Sequence, residues 1–171
     1  MKKDPLIIIR GLPGAGKSTF AKMLQKKLNE SEKISSVIFE TDDFFCDSLD
    51  RTHYMFDPGL LEIAHMWNIG NVFRFCRDYT CPCIVANSFT TNKEIQPYRN
   101  IARETKRLYF IVDIYDTGKK HTSIHDVPNY TLVNMEKRWE ETNSTFRVYD
   151  ESEFETVVDA IVKRIVDGRN K

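Results

Sequence analysis

The sequence predicts an α/β fold in which a mostly parallel sheet of five strands is covered by helices on both faces. Two observations lead to this prediction. Five short apolar runs alternate along the chain with longer segments whose apolar residues recur every three or four positions. The first apolar run, Leu6 to Ile9, is followed by a glycine-rich loop and then by a helical segment, which forms a strand–loop–helix unit. Repeated units of this kind build a doubly wound sheet.

The five predicted strands are compact apolar runs. They are residues 6–9, 37–39, 83–86, 108–114 and 146–149. The second run, Val37-Ile38-Phe39, contains only apolar residues, as is typical of a strand that is buried on both faces. The run at 108–114 is mostly apolar and is predicted to be a central strand.

Helix signals lie between these strands. The first helix is predicted from Lys17 to about Leu28. Asp57 is a suitable N-cap for the second helix because Pro58 follows it. The third helix is predicted to be regular only from Pro97 onward.

Two more helices are predicted in the last third of the chain. Asn129 is a suitable cap for a helix that carries Leu132, Met135 and Trp139 at spacings of three and four. The last helix is predicted to follow a capping box at residues 152–155 and to end at Gly168.

The loop between the first strand and the first helix matches the pattern G-x-x-x-x-G-K-[ST] without a gap. Its glycines let successive backbone N–H groups turn inward around a polyphosphate, and the next helix directs its positive N-terminal end toward the same phosphates. Lys17 is predicted to contact the β- and γ-phosphates, and Ser18 to ligand Mg²⁺. The motif therefore predicts a three-layer P-loop NTPase fold that binds ATP or GTP. The predicted nucleotide-binding residues of the loop are Gly11, Leu12, Pro13, Gly14, Ala15, Gly16, Lys17, Ser18 and Thr19.

Composition and charge exclude several other classes of protein. A chain of 171 residues with 41% hydrophobic and 12% aromatic residues fits one globular domain, residues 1–171, rather than a disordered protein. Lys and Arg number 25, as do Asp and Glu, so the net charge of zero argues against bulk electrostatic coating of nucleic acid. No apolar run approaches membrane-spanning length and no signal peptide is recognisable, which predicts a cytoplasmic or nuclear protein with no membrane partner.

A polar and basic stretch follows the fourth predicted strand. P-loop kinases insert at this point the lid that closes over the nucleotide. Residues 116–142 are therefore the predicted lid, in which Lys119 and Lys120 contact the nucleotide and Arg138 acts in catalysis. A solvated helix face is the alternative interpretation of the charges around Arg138.

Several further motifs lie outside the phosphate loop. They are the stretches 41–45, 54–58, 97–98 and 124–127, together with Leu61, Ala64, His65, Trp67, Asn68, Met135, Arg138, Trp139 and Glu140. With the loop at 10–19, they resemble the P-loop kinases of the bacteriophage polynucleotide 5′-kinase type. They are more similar still to the polynucleotide-kinase-like P-loop domain of an animal ubiquitin-ligase-binding protein and its short relatives. The resemblance covers about residues 6–142.

This resemblance implies transfer of the γ-phosphate of ATP to a hydroxyl group, most often the 5′-hydroxyl of a polynucleotide, with Mg²⁺ as the metal. Asp42, which follows the second strand, matches the family's general base, and a water-mediated Mg²⁺ ligand is its alternative role. The predicted catalytic residues are Lys17, Asp42 and Arg138. The predicted acceptor-binding residues are Asp43, Arg51, His65 and Asn87, although His65 also fits a half-buried helix histidine with a local hydrogen bond.

Three departures from the family pattern leave the function open. The third strand leads into Ala86-Asn87-Ser88-Phe89 where the family has a D-N-T-N-like stretch, and paired lid arginines are replaced by residues 121–123. Phe45 occupies the place of an acceptor-binding arginine, for which Arg51 is the candidate substitute. One alternative function is therefore a non-catalytic ATP- or GTP-binding module that acts through a protein partner. Another is a kinase for a nucleoside, nucleotide or small metabolite.

Overall fold

The computed structural model describes residues 2–47, 53–115 and 127–170, and its strands form a five-stranded sheet in the order β2-β3-β1-β4-β5. Each pair of neighbouring strands in this sheet is parallel, which confirms the predicted topology. The strands are β1 (Leu6–Arg10), β2 (Val37–Phe39), β3 (Cys83–Asn87), β4 (Tyr109–Ile114) and β5 (Phe146–Val148).

Helices cover both faces of the sheet, as the three-layer prediction requires. The α-helices are α1 (Lys17–Glu32), α2 (Leu61–Asp78), α3 (Asn92–Glu104), α4 (Asn129–Lys137) and α5 (Phe154–Arg169). Helices α1 and α5 cover one face of the sheet, and α2 and α3 cover the other. Alternate residues of β1 belong to different layers, because side chains point to opposite faces along a strand. Ile7 and Ile9 pack in one cluster with α1 and α5, whereas Leu6 and Ile8 pack in the other with α2 and α3.

The burial of β2 differs from the prediction. Val37 is 37% exposed, and Ile38 and Phe39 are only partly buried. The reason is the position of β2, which lies at the edge of the sheet and pairs with β3 on one side. An apolar run alone does not distinguish an edge strand from a central one.

The start of α3 also differs from the prediction. The helix begins at Asn92 and contains Pro97, because a capping box between Thr91 and Glu94 stabilises its first turn. Burial of Ile95 and Tyr98 anchors the same turns to the sheet. Tertiary packing therefore outweighs the hydrogen bond that the proline cannot make.

Smaller differences occur at the other helix ends. Helix α1 continues beyond Leu28 to Glu32, and Asp57 caps a short 3₁₀ helix, Pro58–Leu60, that precedes α2. Asn129 is the first residue of α4 rather than its cap, and Trp139 lies beyond the end of that helix.

At the C-terminal helix, a capping box between Asp150 and Glu153 precedes α5 in place of the one predicted at 152–155, and Gly168 lies within the helix. In the part of the chain that the structure describes, no helix has both the length and the apolar composition needed to cross a membrane.

Candidate functional site

The candidate site lies at the edge of the sheet where the parallel strands have their carboxyl ends. The phosphate loop connects β1 to α1 at this edge, and residues 40–45 follow β2 beside it. Ligands of open α/β sheets bind at this edge. The predicted loop and the predicted acidic residues therefore belong to one region of the molecule.

The phosphate loop has a backbone that depends on its glycines. Gly14 and Gly16 have φ angles of 83° and 94°, values that residues with a Cβ rarely adopt. A Cβ at Gly11 would lie 2.5 Å from the carbonyl oxygen of Ile114, the last residue of β4. The first glycine therefore allows close packing on β4, and the other two allow the turn into α1.

Lys17 lies at the start of α1 with its ammonium folded back over the loop. Its Nζ donates a hydrogen bond to the carbonyl oxygen of Leu12 at 2.8 Å. Loss of hydration lowers the pKa of Lys17 to about 8, although the negative charges of Asp42 and Glu40 act in the opposite direction. The ammonium is therefore a poorly hydrated cation that faces two carboxylates.

Ser18 is hydrogen-bonded to a residue that was not among the predicted site residues. Its hydroxyl donates to Oε1 of Glu40 at 2.5 Å. Glu40 follows β2 directly and is only 7% exposed. It also forms a capping box with Asp43 at the 3₁₀ helix Thr41–Phe45. The spacing of Glu40 and Asp43 is the sequence signal of that box, but nothing in the sequence connects Glu40 to Ser18.

Asp42 lies on the same 3₁₀ helix with an exposed carboxylate. The hydroxyl of Tyr54 donates to its Oδ1 at 3.3 Å. Burial and the charge of Asp42 raise the pKa of Tyr54, so this hydroxyl stays a donor at neutral pH. Asp42 is therefore an exposed carboxylate that accepts a hydrogen bond from a neutral donor.

Asn87 and His65, two of the predicted acceptor-binding residues, both contact Thr41. The side-chain oxygen of Asn87 accepts a hydrogen bond from the backbone N–H of Thr41 at 2.7 Å. The Thr41 hydroxyl lies 3.4 Å from Nδ1 of His65, whose pKa is lowered by burial. Asp43 accepts a hydrogen bond from the backbone N–H of Glu40. These three predicted residues support the segment that carries Asp42, and their contact with an acceptor stays a prediction.

Of the remaining predicted residues, one lies at the end of α4 and three lie outside the described residues. Arg138 is exposed at the C-terminal cap of α4. Arg51, Lys119 and Lys120 lie outside the described residues. No residue of α4 is buried, so this helix packs loosely on the rest of the molecule.

The segment that follows α4 is attached to the end of β1 by a buried arginine. The Arg10 guanidinium lies 3.8 Å from the ring centroid of Trp139 and 3.7 Å from the carboxylate of Asp113. It also donates to the carbonyl oxygen of Glu140 at 3.0 Å. Arg10 directly precedes the phosphate loop, so the base of the predicted lid and the loop share one anchor.

The side chains at the departures from the family pattern are buried. Phe89 packs against Tyr98 in the core, with ring centroids 5.0 Å apart, and Ala86 is also buried. Phe45 is buried among Phe44, Tyr54 and Phe56. The effect of these departures on acceptor binding stays a prediction.

The oxygen atoms at the site suit a metal ion that is bound partly by the protein and partly by the phosphates of a nucleotide. Within the described ranges, no group of three or more His, Cys, Asp or Glu side chains converges to form a complete metal site. The oxygen atoms of Ser18 and Glu40 are hard donors, the type that Mg²⁺ prefers. Protein Mg²⁺ sites commonly use one or two such donors together with substrate phosphates and water.

Comparison of the fold with solved structures identifies the structural class. The crystal structure of Chaetomium thermophilum Kti12 in complex with ADP-AlF3 superposes with a TM-score of 0.69 at 16% identity, over 94% of this chain and 99% of that chain. The APS kinase CysC of Mycobacterium tuberculosis superposes with a TM-score of 0.63 at 14% identity, over the full length of both chains. The fold is that of a P-loop kinase.

Sequence comparisons agree with this P-loop kinase fold over part of the chain. The family model described as chromatin associated protein KTI12 matches residues 4–56, a relation that the motifs did not predict. NEDD4-binding protein 2 of Homo sapiens is 34% identical over 101 residues. The match covers 59% of this chain but only 5% of the length of that protein. The more specific relation to phage polynucleotide kinases stays a prediction.

Proposed function

We propose that this protein is an ATP-dependent kinase that transfers the γ-phosphate to the 5′-hydroxyl of a polynucleotide. The observation that carries the proposal is the arrangement of Lys17, Ser18 and Asp42 around one end of the sheet. These residues supply a phosphate-binding cation, a metal-binding hydroxyl and a carboxylate for the acceptor. The bound ADP-AlF3 of Kti12, a protein of the same fold, is consistent with nucleotide binding at the loop.

The proposed reaction is an in-line transfer between two oxygen atoms. The acceptor hydroxyl oxygen forms a bond to the γ-phosphorus while the bond from that phosphorus to the β,γ-bridging oxygen breaks, and ADP leaves. The hydroxyl proton passes to the Asp42 carboxylate. The Lys17 ammonium stabilises the charge on the transferred phosphoryl group, and Ser18 with its neighbouring carboxylates would hold Mg²⁺. When bound, Mg²⁺ would neutralise charge on the β- and γ-phosphates.

An aromatic surface beside Asp42 supports a nucleobase-bearing acceptor. Tyr54, which donates to Asp42, stacks with Phe56, which is 50% exposed. Phe44 packs against Trp67, which is 39% exposed. Unstacked bases of single strands stack on such aromatic side chains. The zero net charge of the chain agrees with an acceptor that is held mainly by stacking.

Trp67 provides a test of this acceptor site. Substitution Trp67→Ala should raise KM for a 5′-hydroxyl oligonucleotide by about 5- to 150-fold, because loss of one stacked base costs about 1–3 kcal/mol. The kcat and the KM for ATP should change little. Tyr79→Ala is the matched control, since Tyr79 is 58% exposed at the far end of α2. An equal effect of both substitutions, or none of either, would exclude Trp67 from acceptor binding.

One labelling experiment tests the function as a whole. The protein is incubated with Mg²⁺ and γ-labelled ATP in the presence of 5′-hydroxyl RNA, 5′-hydroxyl DNA, mononucleotides or nucleosides. Label on the oligonucleotides alone supports the proposal. Label on a mononucleotide or nucleoside alone would instead assign a small-molecule kinase. Binding of ATP without transfer to any acceptor would assign the non-catalytic module.

The lowered pKa of Lys17 predicts how nucleotide affinity depends on pH. Polyphosphate favours the charged ammonium, which is already formed below pH 8 in the free protein. Above pH 8 binding must be accompanied by proton uptake, so affinity should fall by up to about tenfold per pH unit. Calorimetric titration between pH 7 and 9.5 measures this slope. Lys17→Arg should lose the slope because arginine stays charged, and Lys22→Arg should keep it. A flat profile for the wild-type protein would contradict the prediction.

A further inference from the structure

We propose that Glu40 is the carboxylate that positions the divalent cation of the bound nucleotide, which leaves Asp42 to accept the proton of the acceptor hydroxyl. The inference rests on the proposed nucleotide-binding function. It assigns the positioning of the metal and the acceptance of the proton to two different carboxylates. It assigns to Glu40 a role that the sequence motifs gave to Asp42.

The hydrogen bond between Ser18 and Glu40 is the first support. The Ser18 hydroxyl directs its proton to Glu40 Oε1 at 2.5 Å, so the lone pairs of the hydroxyl oxygen are left for a cation. In P-loop NTPases the metal is held by the serine or threonine of the loop together with an acidic residue. Glu40 is an acidic residue that already contacts this serine.

The register of the sheet is the second support. The strand that lies between β1 and β2 is β3, which ends in Ala86 and Asn87 and therefore carries no carboxylate at this edge. Phe39 of β2 pairs with Val85, so Glu40 is level with Ala86 on the adjacent strand. Ala86 has only a methyl side chain, and glutamate reaches further than aspartate. These two features let a carboxylate from β2 reach Ser18 across the end of β3.

Burial separates the roles of the two carboxylates. Glu40 is 7% exposed, whereas Asp42 is exposed at the surface where an acceptor would arrive. Beside Glu40, the Nδ2 of Asn87 is buried and has no hydrogen-bond partner among the residues that the structure describes, while its Oδ1 accepts from Thr41. This amide is a donor that a phosphate oxygen or a metal-bound water would satisfy.

The test compares ATP affinity in Mg²⁺ with affinity in EDTA by calorimetry, without measurement of catalysis. Glu40→Gln keeps the shape and one acceptor oxygen, so the capping box should persist. The variant should reduce the Mg²⁺-dependent gain in affinity by about 10- to 100-fold. Its affinity in EDTA should stay the same or rise, because a negative charge near the phosphates is lost. Asp42→Asn and the exposed control Glu30→Gln should retain the wild-type gain.

A second measurement uses the unaltered chain. Mn²⁺ replaces Mg²⁺ in the ADP complex of protein labelled with ¹³C-carboxyl glutamate or, separately, with ¹³C-carboxyl aspartate, and electron–nuclear double resonance reports labelled carbons near the metal. Coupling to the glutamate label supports the inference. Coupling to the aspartate label alone, or an unchanged Mg²⁺ gain in Glu40→Gln, would overturn it while the kinase proposal stands. Failure of the wild-type protein to bind ATP would overturn both.

Discussion

Substitution Lys17→Ala is expected to abolish phosphotransfer and most of the stabilisation that ATP gives to the protein. The ammonium is poorly hydrated and already charged at neutral pH, so a bound phosphate gains a strong electrostatic contact from it. Removal of one such stabilising group from a transferring phosphoryl group should lower kcat by at least about 10²–10³-fold. A labelling assay measures the rate, and the shift in melting temperature with added ATP measures binding.

Controls distinguish this loss of function from a loss of folding. Burial already disfavours the charged form of Lys17, so the melting temperature of Lys17→Ala without ATP should be equal to or above that of the wild type. Lys22→Ala, on the exposed face of α1, should retain activity and the ATP-dependent shift. Retention of the full shift by Lys17→Ala would mean that ATP binds elsewhere, and the proposed site would then be wrong.

The parts of the fold that depend on local chemistry were predictable from the sequence. The phosphate loop requires glycines at defined positions, and Gly14 and Gly16 have the positive φ angles that the motif implies. The apolar runs predicted all five strands to within two residues at each end, because strands in a sheet that helices cover on both faces are mostly apolar. The alternation of these runs with helical segments predicted a mostly parallel sheet with helices on both faces, but not the spatial order of the strands.

The parts of the site that depend on contacts between distant segments were not predictable. The role of Glu40 depends on the register of β2 against β3, which brings residues 18 and 40 together. The burial of Arg10 depends on Trp139, more than a hundred residues away in the sequence. The periodicity of apolar residues predicts that Trp139 lies on a helix. In the structure the helix ends at Lys137, and the indole of Trp139 packs against the guanidinium of Arg10. A pattern of residue types contains no information about such pairings.

The second large effect is expected from Asp42→Asn, which should separate phosphotransfer from nucleotide binding. Asparagine retains the size of the side chain and can still accept from Tyr54, but it cannot take the proton of the acceptor hydroxyl. The kcat should fall by about 10²–10⁴-fold, the usual contribution of a positioned general base. ATP affinity should stay the same or rise slightly, because a negative charge near the phosphates is removed.

Variants of Asp42 and of its neighbours show which carboxylate accepts the proton and which one holds the metal. Tyr54→Phe removes the donor that holds Asp42 and should lower kcat by about tenfold, a smaller loss than that of Asp42→Asn. Asp167→Asn, an exposed change on α5, should have no effect. If Asp42→Asn retained full activity while Glu40→Gln lost it, the buried carboxylate would be the base. Loss of kcat with intact ATP binding in Asp42→Asn, and loss of Mg²⁺ coupling in Glu40→Gln, would instead assign the proton to the exposed carboxylate and the metal to the buried one.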